Sequence, residues 1–458
     1  MDLEDRKSLE TQGRESKLNV RDALFGGRTE GFKSYVKCGE NQKIVAYDVV
    51  SLYPTVNALD DYAVDFHKLR HDLTVEEIRN GSFFGIAKVD TWAPKQLQLP
   101  VLPENKEGRL LFHLNNIYGG TYTSIELQKA LEVGYKIVKI HVGYEYKKYN
   151  GLMRDYVKCF VKMKIENTEC YTKEEADAIN KYHTSIGVNI NLDYKNCSEN
   201  SGMRAISKLF LNALWGKFGM RSNLDQREFI SDYTSFVRKC TDPKIKKSTF
   251  DIINENCVEF IYKSVEGCVM DAKYISEVTA VFTTSNARIR LYNFLSWFHP
   301  SQRVYCDTDS VYIFIDYNNK DHRCPVRDNH LLPPGISLGD GLGQWKYDIE
   351  DGAHIIEQIV NGCKSYAYKR SDAKEVIKQK GITLDYNNSK LFTFDRFKSL
   401  VMEQETITSH PRFRFKSTYE RKVYTVNDKK TIKFTLDEKR LYNADTYETL
   451  PFGYEEKE

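Results

Sequence analysis

The sequence predicts an α+β protein built on an antiparallel sheet, and three observations carry that expectation. KIVAYDVV (43–50) is a short apolar run rich in β-branched residues that stops beside SLYP, where Pro54 suits the first turn of a helix. RVYCDTDSVYIFI (303–315) is two β-rich runs around a polar turn, a β-hairpin with its acidic residues at the tip. Between them lie long segments with helical spacing, of which RAISKLFLNALWGKF (204–218) is the strongest.

In chain order, the first residues carry charges of both signs and no apolar core, which predicts a disordered tail over 1–22, with order beginning near Gly26-Gly27. The strand at 43–50 then delivers Asp48 to its end. From 83 to 146 a Pro-rich stretch gives way to a short helix after Thr123, with Glu126 three residues on, and then to more strand-like sequence. LMRDYVKCFVKMKIE (152–166) has helical spacing, and a second helix follows the capping pair Thr172 and Glu175. The helix at 204–218 ends at Gly219, and a longer one over 275–298 is stopped by His299-Pro300. The last ninety or so residues alternate basic and aromatic side chains in the manner of strands.

A chain of 458 residues exceeds one compact core and suits two or three subdomains. With 41% hydrophobic and 29% charged residues it is neither disordered nor collagenous. The net charge is only +3, so a grip on any polyanion must come from local clustering. Ten cysteines never fall as Cys-x-x-Cys, which argues against structural zinc and a disulfide framework and predicts buried thiols in a reducing compartment. No uncharged run approaches the length of a membrane span, and the N-terminus lacks a secretory signal, so the chain is expected to be intracellular.

Two acidic sites, Asp48 at a strand end and Asp307-Thr308-Asp309 at a hairpin tip, both sit where apolar strands meet solvent. Brought together, their carboxylates would repel one another unless a divalent cation relieved them; two Mg²⁺ ions roughly 4 Å apart suit an in-line phosphoryl transfer. Arg204, Lys208, Asn212 and Trp215 recur at spacings that put two cations, an amide and a ring on one helix face, a stripe fitted to a triphosphate and a base. Ile206, Phe210 and Ala213 fall on another face and are expected to pack. Tyr53 opens the helix beside Asp48, where its ring could lie under a sugar. Taken singly, each feature has an ordinary structural reading: turn aspartates, a solvated face, core filling.

Their combination is specific. DVVSLYPTV, KLFLNALWGKFG and YCDTDSVY, in that order, resemble motifs A, B and C of the family B DNA polymerases. FGGRTE (25–30) resembles the Tyr-x-Gly-Gly motif of the protein-primed branch, which serves phages, linear plasmids and Polinton-like elements; LGQW (342–345) and the Lys-x-Tyr of CKSYAY resemble two further segments of that branch. The resemblance implies a right-hand polymerase fold with an antiparallel-sheet palm, helical fingers and a small β-rich thumb. It implies a palm with a first insertion over 23–150, fingers over 151–220, a second insertion over 221–274, palm again over 275–374 and thumb over 375–458.

Carried over by position, the resemblance makes Asp48, Asp307 and Asp309 catalytic, with Asp48 and Asp309 the ligands of two Mg²⁺ ions. Tyr53 becomes the sugar-selecting ring, Arg204 and Lys208 triphosphate ligands, Asn212 a contact to the nascent pair, and Gly216 the point of close approach to it. Gly26 and Gly27 would hold the template strand, and Lys364 and Tyr366 the primer terminus. Trp215 replaces the usual Tyr, Ala213 a frequent Ser, and Leu24 the Tyr of Tyr-x-Gly-Gly. The implied function is DNA-directed DNA synthesis from deoxynucleoside triphosphates on a primer-template, in replication of a mobile element, linear plasmid or virus, in nucleus, organelle or virus-associated. A terminal priming protein is a further implied partner. The 47 residues ahead of Asp48 are too few for an exonuclease domain, so the polymerase half of a longer protein is expected. The alternative is an inactive, truncated remnant that only binds DNA; a reverse transcriptase would carry adjacent aspartates in its hairpin. Basic runs at 238–248 and 410–422 suit phosphate tracking.

Overall fold

A computed structural model describes residues 18–221, 224–265, 275–349, 352–417 and 422–456. The chain divides into two units, one of residues 1–215, 278–410 and 430–458, the other of 216–277 and 411–429.

The first unit is organised by a nine-stranded antiparallel sheet. Its main path runs Thr29–Gly31, Arg303–Asp307, Ser310–Asp316, Gln42–Val49, Ile355–Gly362, Ser365–Arg370, Glu375–Gln379, with Trp345–Tyr347 added to Gln42–Val49 and Tyr35–Lys37 added to Ile355–Gly362. The apolar run read as a strand is therefore central. Ser310 lies opposite Asp48 on one side and Lys346 on the other. Beneath it runs the helix Glu277–Trp297, buried on nearly every face, with Thr283, Ser285 and Arg288 buried alongside its apolar side chains. Phe294 of that helix stacks on Trp345 at 4.0 Å and meets Tyr47 edge-on at 5.6 Å, fixing the strand that carries Asp48.

The segment after Asp48 turns sharply. Ser51 takes a left-handed φ of 59° ahead of the helix Leu52–Leu59. Val50 exchanges backbone hydrogen bonds with Gln344 and Gly343 of the LGQW loop, both at 2.9 Å. Gly343 has φ +81°, and a Cβ there would meet Thr55 at 2.6 Å, so only glycine fits this close approach. A second sheet of four strands, in the order Asp61–Arg70, Lys136–Asn150, Gly85–Trp92, Ile117–Thr123, follows with the helix Ser124–Glu132. Helices Arg154–Glu166, Lys173–Ser185 and Ser201–Phe218 come next. Thr172 and Glu175 form the anticipated reciprocal cap.

Four expectations need correction. Order begins before Gly26: Leu18 is buried, and Asn19 caps a 3-10 turn over Val20–Ala23, so the tail expected over 1–22 is structured from Leu18, while 1–17 lie outside the described residues. On Ser201–Phe218 the packing face is Ser207 and Leu211, while Ile206 and Phe210 are each 46% exposed. Leu211 joins Val157, Val161 and Leu342 in one cluster, a choice made by the neighbouring helix rather than by hydrophobicity alone. The stretch 375–458 is not uniformly β-rich: Tyr386–Leu391 and Phe394–Met402 are helices, the second burying Phe394, Phe397, Leu400 and Val401. Of the described cysteines, Cys197, Cys306 and Cys324 are buried, but Cys159, Cys170 and Cys240 are exposed.

A buried charge network ties the sheet's edge to the distant C-terminal segment. Arg28 donates to Glu30 at 2.7 Å, and Arg440 reaches Glu30 at 3.2 Å and Thr449 at 2.8 Å. Burial alone would raise the Glu30 carboxyl, but Arg28 and then Arg440 outweigh it and hold it below the ordinary carboxylate range.

The second unit contains a three-stranded sheet, Gln226–Ile230, Cys257–Ser264, Ile245–Asn254, with the helix Tyr233–Cys240, and a hairpin of Arg412–Ser417 with Val423–Asp428. Within the first basic run, Lys239 is engaged internally by Glu228 at 2.8 Å and by the Tyr262 hydroxyl at 3.1 Å. Residues 418–421 of the second run lie outside the described residues. Among the described residues no helix is long and apolar enough to cross a membrane.

Candidate active site

The sheet register places the acidic residues. Because Asp48 pairs with Ser310, Asp309 is its diagonal neighbour, and Val49 N–H donates to the Asp309 carbonyl at 2.9 Å. Thr308 makes the tight turn possible with φ 59°, and its N–H donates to the Arg28 carbonyl at 2.8 Å. Burial, then the charges of Asp309 and Asp348, push the Asp48 carboxyl up to about 7. Asp309 is raised as well, first by burial and also by Asp307 and Asp348.

Asp307 is held differently. Its Oδ1 receives the Lys364 ammonium at 2.9 Å, the Thr29 hydroxyl at 3.0 Å and the Thr308 hydroxyl at 3.1 Å. The structure thus brings Asp48 and Asp309 together with their carboxyls raised, nearby cations notwithstanding, and ties Asp307 to a cation. Among the described residues no group of three or more His, Cys, Asp or Glu converges to hold a metal. Two half-buried carboxylates, both raised first by burial and then by neighbouring acids, fit a hard divalent cation, and Asp48 and Asp309 are the residues that would hold it.

Beside the acids, Tyr53 stacks on Trp215 with ring centres 4.6 Å apart and planes at 26°. Two rings that the sequence assigned separately form one platform. Burial pushes the Tyr53 phenol up to about 12, so it stays neutral. Arg204, Lys208 and Asn212 lie on the exposed side of the helix, and Arg204 donates to the Thr168 hydroxyl at 3.2 Å. A Cβ on Gly216 would meet nothing within 4 Å, leaving open space at that position.

Lys164 was not anticipated. It projects from the helix Arg154–Glu166 and donates to Ser51 Oγ at 3.3 Å, and burial, then the positive charges of Arg204, Lys208 and Lys346, lower its ammonium to about 8. Four cations therefore share the field around Asp48. No spacing in the sequence singles out Lys164 among the other lysines of its helix. Lys346 and Asp348 were missed too; Lys346 follows LGQW directly and lies opposite Asp48 by strand register, and Asp348, just past that strand, donates its N–H to the Ala46 carbonyl at 3.0 Å.

The two remaining motifs flank the hairpin. Gly27 lies against its turn, for a Cβ there would come within 2.8 Å of Thr308, whereas Gly26 faces open space. Lys364 has φ 58°, and its N–H donates to the Tyr305 hydroxyl at 2.9 Å. Tyr366 packs among Tyr305, Tyr312 and Tyr368, with Tyr312 donating to its hydroxyl at 3.3 Å.

Residues 2–309 match the family profile described as DNA polymerase type B, organellar and viral. The chain belongs to that family. A DNA polymerase of Kluyveromyces lactis is 24% identical to this family member over 407 residues, 84% of this chain and 35% of that protein. Phi29 DNA polymerase complexed with primer-template DNA and incoming nucleotides superposes with a TM-score of 0.57 at 16% identity, over 94% of this chain and 66% of that one. Phi29 DNA polymerase complexed with single-stranded DNA gives 0.54 at 15%, over 93% and 65%. The chain spans about a third of the Kluyveromyces relative and just under two thirds of the Phi29 structures. At these identities the likeness establishes the fold, which is the right-hand fold of the polymerases.

Proposed function

We propose that this family B chain is a DNA-directed DNA polymerase, adding deoxynucleotides to a primer 3′-hydroxyl on a DNA template. The observation that carries the reading is the meeting of Asp48 and Asp309 beside the Tyr53–Trp215 rings and the cations Lys164, Arg204 and Lys208. Asp48 and Asp309 would hold two Mg²⁺ ions, whose chemistry there is to activate the primer hydroxyl and neutralise charge on the departing oxygens.

The chain's own side chains account for the rest. Lys208, Arg204 and Lys164 suit the triphosphate, whose negative charge would offset the burial and the repulsion that lower Lys164. Tyr53, fixed by its stack on Trp215, offers a rigid edge to the sugar and would exclude a 2′-hydroxyl. Asn212 suits the nascent pair, and the space at Gly216 suits its close approach. Lys364 and Tyr366 are proposed to hold the primer terminus, and Gly26 and Gly27 the template strand. Positioning and charge neutralisation of this kind supply most of the rate in phosphoryl transfer.

In this reading the palm comprises 23–150 and 275–374, and 151–220 the fingers. Protein priming, on a phage, linear plasmid or Polinton-like element, is the branch that the Gly26-Gly27 and Lys364-x-Tyr366 segments favour. The test is primer extension by the purified chain on primed DNA with Mg²⁺ and the four deoxynucleotides, beside Asp309→Asn. Extension abolished in the variant, with DNA binding retained, is the expected result. Equal extension by both would sink the metal assignment, and DNA binding without extension by the parent chain would leave it a DNA-binding remnant.

A further inference from the structure

Three donors converge on Asp307 Oδ1, and they are unequal. The Lys364 ammonium sits on a side chain 57% exposed, free to be drawn elsewhere, and Thr308 belongs to the same turn as Asp307 itself. Thr29 is different. It lies opposite Asp307 in the edge strand and is 7% exposed, and its carbonyl accepts from Cys363 Sγ at 3.1 Å and from the Lys439 ammonium at 3.4 Å. Its neighbours Arg28 and Glu30 are locked in the buried charge network. With backbone and both flanks fixed, the Thr29 hydroxyl has one acceptor, Asp307 Oδ1 at 3.0 Å. Oδ2 of Asp307 keeps no protein donor among the described residues.

We infer that Thr29 is a positioning residue for Asp307: its hydroxyl holds the carboxylate in one orientation, Oδ1 saturated and Oδ2 presented, when Lys364 leaves Asp307 for a phosphate of the primer strand. The inference rests on the polymerase reading and goes beyond it, since none of the motif resemblances assigns this residue a role. Charge-assisted hydrogen bonds of this kind lose their directing power when the donor is removed, and a carboxylate misoriented at a reacting centre costs turnover rather than affinity.

The test is steady-state primer extension by the full chain and by Thr29→Val and Thr29→Ser, with DNA affinity and melting temperature measured on each. Valine keeps the branched shape in the strand and removes the hydroxyl, while serine keeps the hydroxyl. The expected result is a kcat lower by roughly tenfold in Thr29→Val, the scale of one lost charge-assisted hydrogen bond. The KM for deoxynucleotides, DNA affinity and melting temperature should be unchanged, and Thr29→Ser should turn over near the parent rate. An undiminished kcat in Thr29→Val, an equal loss in Thr29→Ser, or a loss that tracks a lowered melting temperature would each overturn the inference. If the parent chain extends no primer, the polymerase reading fails first; an active parent with an unaffected Thr29→Val defeats the inference alone.

Discussion

Two hairpins of similar length sit in different surroundings. The hairpin of Arg303–Asp307 and Ser310–Asp316 is flanked on one edge by Thr29–Gly31 and on the other by Gln42–Val49, and it buries Val304, Tyr305, Cys306, Val311 and Ile313 completely or nearly so. The hairpin of Arg412–Ser417 and Val423–Asp428 pairs only with itself, and its Phe413 and Phe415 are 69% and 82% exposed. Apolar content, continuous in VYIFI of the first and alternating with cations in RFRFK of the second, does not by itself hold a tip in place. Neighbouring strands do: a ribbon paired on both edges has its tip fixed in register, whereas an isolated two-stranded ribbon is marginal and can follow a partner's shape. The first suits the placing of carboxylates, the second adaptation to a surface.

Substitutions can break or sharpen that contrast. The largest effect belongs to the strand paired with the fixed hairpin: Asp48→Asn should lower single-turnover extension by about a thousandfold or more while DNA affinity, read by fluorescence anisotropy, hardly moves. Next, Tyr53→Val removes the edge braced by Trp215, and discrimination against ribonucleotides should fall by about a hundredfold in competition assays. Unchanged sugar selection would remove Tyr53 from that role. Gly27→Val presses a side chain onto Thr308 and should displace the acidic turn, lowering kcat by about tenfold. The free hairpin should be the most tolerant: Phe415→Ser should change stability by no more than about 0.5 kcal/mol in urea denaturation, against ~3 kcal/mol or more for Tyr305→Ala in the fixed one. A large loss from Phe415→Ser would show that this ribbon has a packing partner after all.

What the sequence shows is what is local. The strand at Asp48, the helix beginning at Leu52 and the hairpin around Asp307 to Asp309 follow from apolar runs a few residues long. The order of three such motifs pointed to the family and the right-hand fold. Contacts set by register or by neighbouring elements were not legible: Lys164 reaches Ser51 across 113 positions, and Thr29 reaches Asp307 across 278. The packing face of Ser201–Phe218 was misread because the adjacent helix buries Leu211 and leaves Ile206 to solvent. The helix Phe394–Met402 was legible in principle, since Phe394, Phe397, Leu400 and Val401 recur with helical spacing and Thr393 caps them. Alternating aromatics further along the chain obscured it.

The link from Glu30 to Arg440 joins residues 410 positions apart. During translation all three acids emerge from the ribosome well before Arg440 does, yet the edge strand that clasps their turn carries Glu30, one of whose carboxylate oxygens takes Arg28 while the other gains its donor only once Arg440 arrives. A nascent chain halted before that point would own every motif residue and lack the support that aligns them.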